Sequence, residues 1–188
     1  MDSAYLHIVT NHIPIVGVPF ALALLVLGIW RKSVELKSVA LLVFTLLGIV
    51  TLGVYLLGQG GKEFVEHLAG VSEHAIEEHE KMGLISLGSV GVTAILSLLG
   101  LILYKGFFFL KRRQSDRILD GEVSAEAKPS LPNWLIFAVL GLAILSSGIL
   151  GYTGKLGGKI RHTEFYGGAT NTEEEEGGGR GRGRGGRK

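Results

Sequence analysis

Four long runs without a charged residue constrain this chain more than any other feature. The residues that bound the runs are, in pairs, Asp2 and Arg31, Lys37 and Lys62, Lys81 and Lys105, and Lys128 and Lys155. Each run is mostly apolar and exceeds the roughly 20 residues that a helix needs to cross a hydrocarbon core about 30 Å thick. A helix also satisfies its backbone hydrogen bonds internally, which lipid requires. The runs therefore predict four membrane-spanning helices.

The composition agrees with such a segregated sequence. Mean hydropathy is +0.38 although 19% of the 188 residues are charged, so apolar blocks alternate with charged patches. We therefore expect an all-α fold, an integral membrane four-helix bundle made of two antiparallel hairpins. The predicted helices lie at about 13–30, 38–58, 82–104 and 133–152.

The same pattern predicts the domain organisation. Residues 1–152 form one four-helix transmembrane domain, in which 59–81 is an amphipathic segment on the outer side. Residues 153–188 form a tail rich in glycine, glutamate and arginine, a composition that cannot bury a core and favours disorder. The Arg-Gly tract at its end is typical of RNA-binding segments. On an outward-facing terminus we expect no nucleic acid partner, and lipid headgroups or an acidic subunit surface suit the tract better.

Lysine and arginine counts predict the orientation. The loops at 31–37 and 105–128 are rich in basic residues, whereas the 59–81 segment is rich in glutamate. Basic residues concentrate on the cytoplasmic side of a membrane protein. The chain is thus predicted to lie in the bacterial inner (cytoplasmic) membrane with both termini outside, although the lysines just after residue 153 count weakly against this orientation.

Several classes of function are excluded or disfavoured. The chain contains no cysteine, which excludes disulfides, thiolate metal sites and covalent c-type haem. The apolar runs contain no acidic or basic side chain, which argues against a proton pump or an ion-coupled transporter. No P-loop, dinucleotide fingerprint or Ser-His-Asp arrangement is present. We therefore do not expect the chain to be an enzyme on its own.

Histidines carry the strongest signal for chemistry. Five of the six are predicted on the outer side, namely His7, His12, His67, His74 and His79. The starts of the first and third helices lie at one membrane depth in an up-and-down bundle, so we expect His12 to approach His79. Imidazoles on facing helices are ligands of b-type haem. The pattern predicts a haem b site near the outer face, with His12 and His79 as first candidates and His7 and His74 as further ones.

A second reading of the outer segment is a surface metal site. His67 and His74 are seven residues apart on one helical face, and Glu63 and Glu78 each lie one turn from a histidine. Such a group suits zinc or copper. The plainer alternative is an amphipathic interfacial helix that leads into the third span, with Ser72 as its N-cap.

The opening of the chain resembles a family. His12-Ile13-Pro14-Ile15 matches the His-x-Pro-Ile start of small, poorly characterised bacterial four-helix membrane proteins, and Leu57-Gly58-Gln59-Gly60 lies where their second span ends in a glycine-containing turn. The resemblance covers roughly residues 5–110. It implies a membrane component associated with respiratory or redox gene sets, in which b-type haem is the expected cofactor.

Three functions stay open at this point. The first is a membrane subunit of a redox or respiratory-type assembly that binds haem b, with other membrane subunits and a quinone as candidate partners. The second is a cofactor-free structural subunit of a larger membrane complex. The third is an outer-surface metal-binding or sensing membrane protein.

Overall fold

A computed structural model describes residues 3–66, 73–115 and 131–161 of the chain, with side chains for 3–62, 73–104 and 131–160. These residues are almost entirely helical and include no strand. The five helices are α1 (Ser3–Thr10), α2 (His12–Trp30), α3 (Val34–Glu66), α4 (Glu73–Ser115) and α5 (Asn133–Arg161).

The helices pack as an up-and-down bundle of four rods, because α1 and α2 follow each other with only Asn11 between them. In the pairing of the first rod with α3, Gly28 lies against Lys37 while His7 lies against Gly58. The numbers rise on one helix as they fall on the other, so the two are antiparallel. The pairs α3–α4 and α4–α5 run in the same alternating way, and α2 also packs on α5, which closes the ring of rods.

All four rods are long and apolar enough to cross a membrane. The qualifying stretches are Ser3–Trp30, Val34–Lys62, Glu73–Tyr104 and Asn133–Ile160, with mean hydropathy between 2.1 and 2.5 in their best windows. At most 39% of any such window is buried inside the bundle. Large side chains such as Ile49 and Ile95 are about two-thirds exposed. Helices that are apolar on all faces are characteristic of a bundle surrounded by lipid.

The break between α1 and α2 follows from Pro14. Proline lacks an N–H and its ring clashes with the carbonyl four residues earlier, here that of Thr10. The α1 helix ends at Thr10. The hydroxyl of Thr10 donates to the Leu6 carbonyl of the same helix at 2.6 Å. The predicted first helix began at about residue 13, so α1 is an additional helix ahead of it. Pro19 lies inside α2, and the helix continues through it.

The turn between α2 and α3 is built from two caps. Lys32 adopts a left-handed conformation with φ of 52°. The N–H of Ser33 then donates to the Gly28 carbonyl at 3.0 Å, and the N–H of Lys32 to the Ile29 carbonyl at 3.1 Å, which is the Schellman arrangement. The Ser33 hydroxyl accepts the N–H of Leu36 and so caps α3. These bonds turn the chain within a few residues and set the antiparallel hairpin.

Three helices extend beyond the apolar runs that predicted them. The α3 helix continues past residue 58 to Glu66, α4 already begins at Glu73, and α5 continues past the predicted boundary at 152 to Arg161. Side chains beyond that boundary are packed: Leu156 is buried, and Thr153 binds α4. The predictions for the rest of the tail and for the other part of the 59–81 segment lie outside the described residues.

The core of the bundle consists of small and medium side chains at close contacts. Fully buried residues come from each of the four rods; examples are Val18, Leu25, Leu41, Phe44, Val90 and Val139. Helices α3 and α4 are in close contact where Gly48 faces Ala94, since a Cβ on Gly48 would overlap the Ala94 methyl. Small residues allow such an approach of helix backbones, as packing within lipid favours.

Candidate functional site

Two histidines from different rods meet at one end of the bundle. The ring centroids of His7, on α1, and His79, on α4, are 6.1 Å apart, and the ring planes are inclined by 84°. Both side chains are partly buried. We call them the histidine pair, and the end at which they lie the histidine end. The pair is the only contact between aromatic or imidazole rings found among the described residues.

The helix α3 holds the ring of His7. Its Nδ1 atom lies 2.9 Å from the carbonyl oxygen of Val54. One turn further along α3, Gly58 leaves room for the ring, because a Cβ at Gly58 would come within 2.9 Å of Cε1 and 3.0 Å of Nδ1. We call this combination of a carbonyl and a glycine the His7 anchor.

The helix α5 holds the ring of His79 in a similar way. Its Nδ1 atom lies 3.1 Å from the carbonyl oxygen of Thr153. A Cβ at Gly157 would come within 3.1 Å of the His79 Cε1 atom. We call this combination the His79 anchor. The hydroxyl of Thr153 is itself held by Ser86 at 2.8 Å, which fixes α5 against α4 next to the ring.

The anchors determine the tautomers of both rings. A carbonyl oxygen can only accept, so each Nδ1 carries the proton and donates it, and in the neutral ring each Nε2 presents a lone pair. This assignment follows from the hydrogen-bond network. Within the described residues no hydrogen bond involves either Nε2. An imidazole whose Nδ1–H is bound to a carbonyl is the arrangement found in metal-ligating histidines.

His12 lies elsewhere, so the structure gives His79 a different partner from the one expected. The His12 side chain is exposed, and its Nδ1 atom lies 3.1 Å from the Ile8 carbonyl of the preceding helix. His7 and His12 are five positions apart, which places them about 140° apart around a helix. Only His7 therefore points toward α3 and α4. Membrane depth alone does not fix the direction of a side chain.

The structure describes only part of the predicted surface metal site. His74 and Glu78 are described and lie one turn apart on α4, with 3.9 Å between Nε2 and Oε1, and both are exposed. His67 and the side chain of Glu63 lie outside the described residues. Among the side chains that the structure does describe, no three histidine, aspartate or glutamate residues come together as a metal group.

Polar contacts around the pair tie the rods together. Glu80, next to His79 in sequence, accepts hydrogen bonds from Lys62 at 2.9 Å and from Gln59 at 3.1 Å, both on α3. The Oδ1 atom of Asn11 is the one buried side-chain oxygen or nitrogen without a partner in the described part of the chain. Asn11 follows His7 by one turn, so an unpaired buried acceptor lies close in sequence to one ring.

The pair suits a metal that takes two ligands from opposite sides. A metal–imidazole bond is about 2 Å long. Ring centres are then roughly 6 Å apart for opposed ligands and roughly 5 Å apart for tetrahedral ones, and 6.1 Å matches the former. Two neutral imidazoles from facing helices are the donor set of a six-coordinate haem b. The two imidazoles on different rods therefore supply the donor set of this group.

Comparisons with protein-family models, with curated proteins and with solved structures found no match to this chain. Function is therefore inferred from the site itself. Sequence reasoning named both members of the histidine pair but missed their pairing and the two anchors. The signal that was available was the glycine four positions after each carbonyl, and glycines are too frequent here, at 29 of 188 residues, for that spacing to stand out.

Proposed function

We propose that this chain is a membrane subunit of a redox assembly, which binds haem b between His7 and His79 near one membrane face. The observation that carries the proposal is the histidine pair: two anchored rings from different rods, 6.1 Å apart, each with a free Nε2 lone pair. Two further features support a position of the bundle in the membrane. These are the exposed aromatic side chains near its two ends and the level at which the pair lies.

Aromatic side chains mark two levels along the bundle. Trp30 and Trp134 lie exposed at the end opposite the histidine pair, and Tyr152 lies exposed at the histidine end. Trp134 and Tyr152 are 18 positions apart on α5, which corresponds to about 27 Å of helix. Tryptophan and tyrosine prefer the two interfaces of a bilayer whose hydrocarbon core is about 30 Å thick. We therefore place the membrane between these two levels.

This placement brings the histidine pair to one interface. The carbonyl that holds His79 belongs to Thr153, which directly follows Tyr152. The pair thus lies at the level of the tyrosine and not in the middle of the membrane. We assign this face to the outer side, because the predicted cytoplasmic loops carry most of the basic residues near the spans.

The proposed chemistry is electron transfer. A haem held by two histidines has no open position for a substrate and supplies one-electron transfer. The chain's own part is to hold two neutral imidazoles and to exclude water with apolar helices. A single haem at one face does not carry electrons across the bilayer. We therefore propose that further membrane subunits receive the electrons, with a membrane quinone as a second candidate partner.

The first experiment is a reduced-minus-oxidised visible spectrum of the full chain, expressed with haem available and purified in detergent. We expect the α-band of a six-coordinate b haem. His7→Ala and His79→Ala should each abolish it, because each removes one axial ligand. His12→Ala and His74→Ala are the matched controls and should keep it, since both side chains are exposed and lie away from the pair.

Three results would count against the proposal. A flat spectrum from folded protein would reject the haem, and metal analysis of the same sample would then test the surface metal hypothesis. Loss of the band in His12→Ala, with His7→Ala unaffected, would reject the ligand assignment. A band that survives both alanine substitutions in the pair would place any haem elsewhere.

A cofactor-free structural subunit is the second candidate, and one observation favours it. Each Nδ1–H bond joins two helices, α1 to α3 through His7 and α4 to α5 through His79. The rings would then serve as interhelical hydrogen-bond donors, which stabilise membrane bundles. The two functions differ in what Nε2 does, and a substitution that removes only Nε2 separates them.

A further inference from the structure

The two anchors share one local design. In each, a histidine Nδ1 binds a helix carbonyl, and the residue four positions later on that helix is a glycine next to the ring. The carbonyl–glycine pairs are Val54 with Gly58 and Thr153 with Gly157. In an α-helix the carbonyl of residue i accepts the N–H of residue i+4. Each ring therefore lies over the backbone hydrogen bond that the glycine N–H donates to this carbonyl. A side chain on the glycine would keep the ring out of this position.

The correspondence between the two anchors extends along the rods that carry the rings, which are α1 with α2 and α4. His79 follows His7 by 72 positions, and the same offset relates buried residues of α2 and α4. These pairs are Val18 with Val90, Ala21 with Thr93, and Leu25 with Ser97; all are buried. The offset also relates Gly28 to Gly100, each of which lies close to the following rod. The first and third rods thus present equivalent faces to the interior.

The rods that carry the anchors are related as well. Thr153 follows Val54 by 99 positions, and this offset relates five buried residues of α3 to five buried residues of α5. The pairs are Ala40 with Val139, Phe44 with Ala143, Leu47 with Ser146, Thr51 with Leu150, and Val54 with Thr153. The buried positions of the two hairpins therefore follow the same helical spacing, although their side chains differ. The histidine pair lies where the two hairpins face each other.

We infer that Gly58 and Gly157 are positioning residues that set the mutual orientation of the two axial imidazoles. This inference rests on the proposed function. A single hydrogen bond fixes where Nδ1 lies but leaves the ring free to turn about that bond. The helix backbone beside each ring, exposed because the neighbour is glycine, restricts this rotation. Two equivalent anchors on opposed hairpins then hold the planes at 84°.

A methyl group at either glycine displaces the ring that it faces. At Gly58 the added carbon would lie 2.9 Å from Cε1 of His7 and 3.0 Å from Nδ1; at Gly157 the nearest atom of His79 is at 3.1 Å. Gly58→Ala therefore disturbs its ring more than Gly157→Ala does. Gly53 and Gly158 have nothing within 4 Å of an added Cβ. Alanine at these two positions provides matched controls on the same two helices.

The test compares the four alanine variants of the full chain by electron paramagnetic resonance of the oxidised haem. Perpendicular axial imidazoles give a strongly anisotropic low-spin signal, and the anisotropy falls as the planes turn toward each other. We expect this signal in the unsubstituted chain and in Gly53→Ala and Gly158→Ala. Gly58→Ala should shift it and reduce haem affinity by about 10-fold or more, as loss of support for a ligating histidine does.

A second readout separates this inference from the proposed function. In haem-free protein, ¹⁵N NMR of the imidazoles should show Nδ1-protonated rings, with the His7 signals moved by Gly58→Ala and the His79 signals moved by Gly157→Ala. If no haem binds but these shifts appear, the proposed function fails and the positioning role stands. Unchanged imidazole signals in both variants, or an unchanged low-spin signal in Gly58→Ala, would overturn the positioning role.

Discussion

The Nδ1 atom of His7 lies 2.9 Å from the carbonyl oxygen of Val54, a residue 47 positions further along the chain. This bond fixes the ring to α3 and leaves Nε2 as a free acceptor. One side chain therefore offers two separable contributions: a hydrogen bond between helices through Nδ1 and a lone pair for a ligand through Nε2. The structural and the haem-binding functions each use one of these atoms.

Asparagine at position 7 separates the two contributions. Its amide nitrogen is bonded to Cγ, as Nδ1 of histidine is, so His7→Asn keeps a donor for the Val54 carbonyl but removes Nε2. We expect the variant to lose the haem band. When both chains are haem-free, its free energy of unfolding in mixed micelles should differ from that of the unsubstituted chain by much less than about 1 kcal/mol, the usual contribution of one hydrogen bond. Circular dichroism during an SDS titration measures the unfolding.

Glutamine provides the contrast for this substitution. Its amide lies one bond further from the backbone, so His7→Gln loses the bond to Val54 as well as the ligand. It should be less stable than His7→Asn and equally free of haem. A His7→Asn variant that keeps the spectrum, or that unfolds as readily as His7→Gln, would contradict the separation of roles.

Ser86 and Thr153 form a hydroxyl pair across α4 and α5 at 2.8 Å, and both are buried. Interhelical hydrogen bonds in membrane proteins contribute on average about 0.6 kcal/mol, with a maximum near 1.7. We expect a coupling in this range from a double-mutant cycle of Ser86→Ala and Thr153→Val, measured by the same titration. Valine keeps the Thr153 carbonyl, so the His79 anchor stays in place.

Ser89 gives the matched control for that cycle. Its hydroxyl donates to the Ser86 carbonyl of its own helix at 3.1 Å and has no contact of this kind with α5 among the described residues. A cycle of Ser89→Ala with Thr153→Val should show a coupling near zero. Equal coupling in both cycles would mean that the Ser86 bond contributes nothing specific to the α4–α5 contact.

Gly48 faces Ala94 at a close contact between α3 and α4, where a Cβ on Gly48 would overlap the Ala94 methyl. Gly48→Ala should therefore destabilise the bundle by about 1–3 kcal/mol, the usual cost of overpacking. Adding Ala94→Gly moves the methyl group to the other helix and should recover most of this loss. Gly53→Ala, with open space around the added carbon, should cost nothing. Failure of Ala94→Gly to rescue would mean that the helices do not meet at this pair.

The sequence was sufficient to predict the all-helical fold and the four long apolar helices, because hydropathy is a local property that the chain carries in continuous runs. It was less informative about helix ends. Charged side chains continue three of the helices past their apolar runs, as in α3 up to Glu66, and nothing in hydropathy marks where the last turn lies. The packing of Leu156 against the other rods extends α5 in the same way.

The candidate site, like the fold, could be predicted from the sequence only in part. Both histidines of the pair were named from their position near the ends of predicted helices. The choice of His12 as the partner of His79 depended on depth, and the direction of a side chain around a helix depends on where that helix begins and breaks. Here Pro14 sets the break and α1 carries His7 toward α3. The correspondence between buried positions of the two hairpins lies in burial rather than in residue identity, so the sequence alone did not reveal it.

The orientation of the bundle can be tested because the chain contains no cysteine. Glu35, near the tryptophan end, and Glu73, at the histidine end, are both exposed. We expect a membrane-impermeant maleimide added to intact cells to label Glu73→Cys and not Glu35→Cys, because the proposed orientation places the histidine pair outside.

Permeabilised cells supply the control, since both cysteines should then react to the same extent and show that each is accessible. The reverse pattern, with Glu35→Cys labelled in intact cells, would place the histidine pair on the cytoplasmic side. That result would leave the ligand assignment intact, because the distance between the two rings does not depend on orientation. It would instead require electron partners from the cytoplasm, and it would mean that the lysines on the histidine end outweigh those of the predicted cytoplasmic loops.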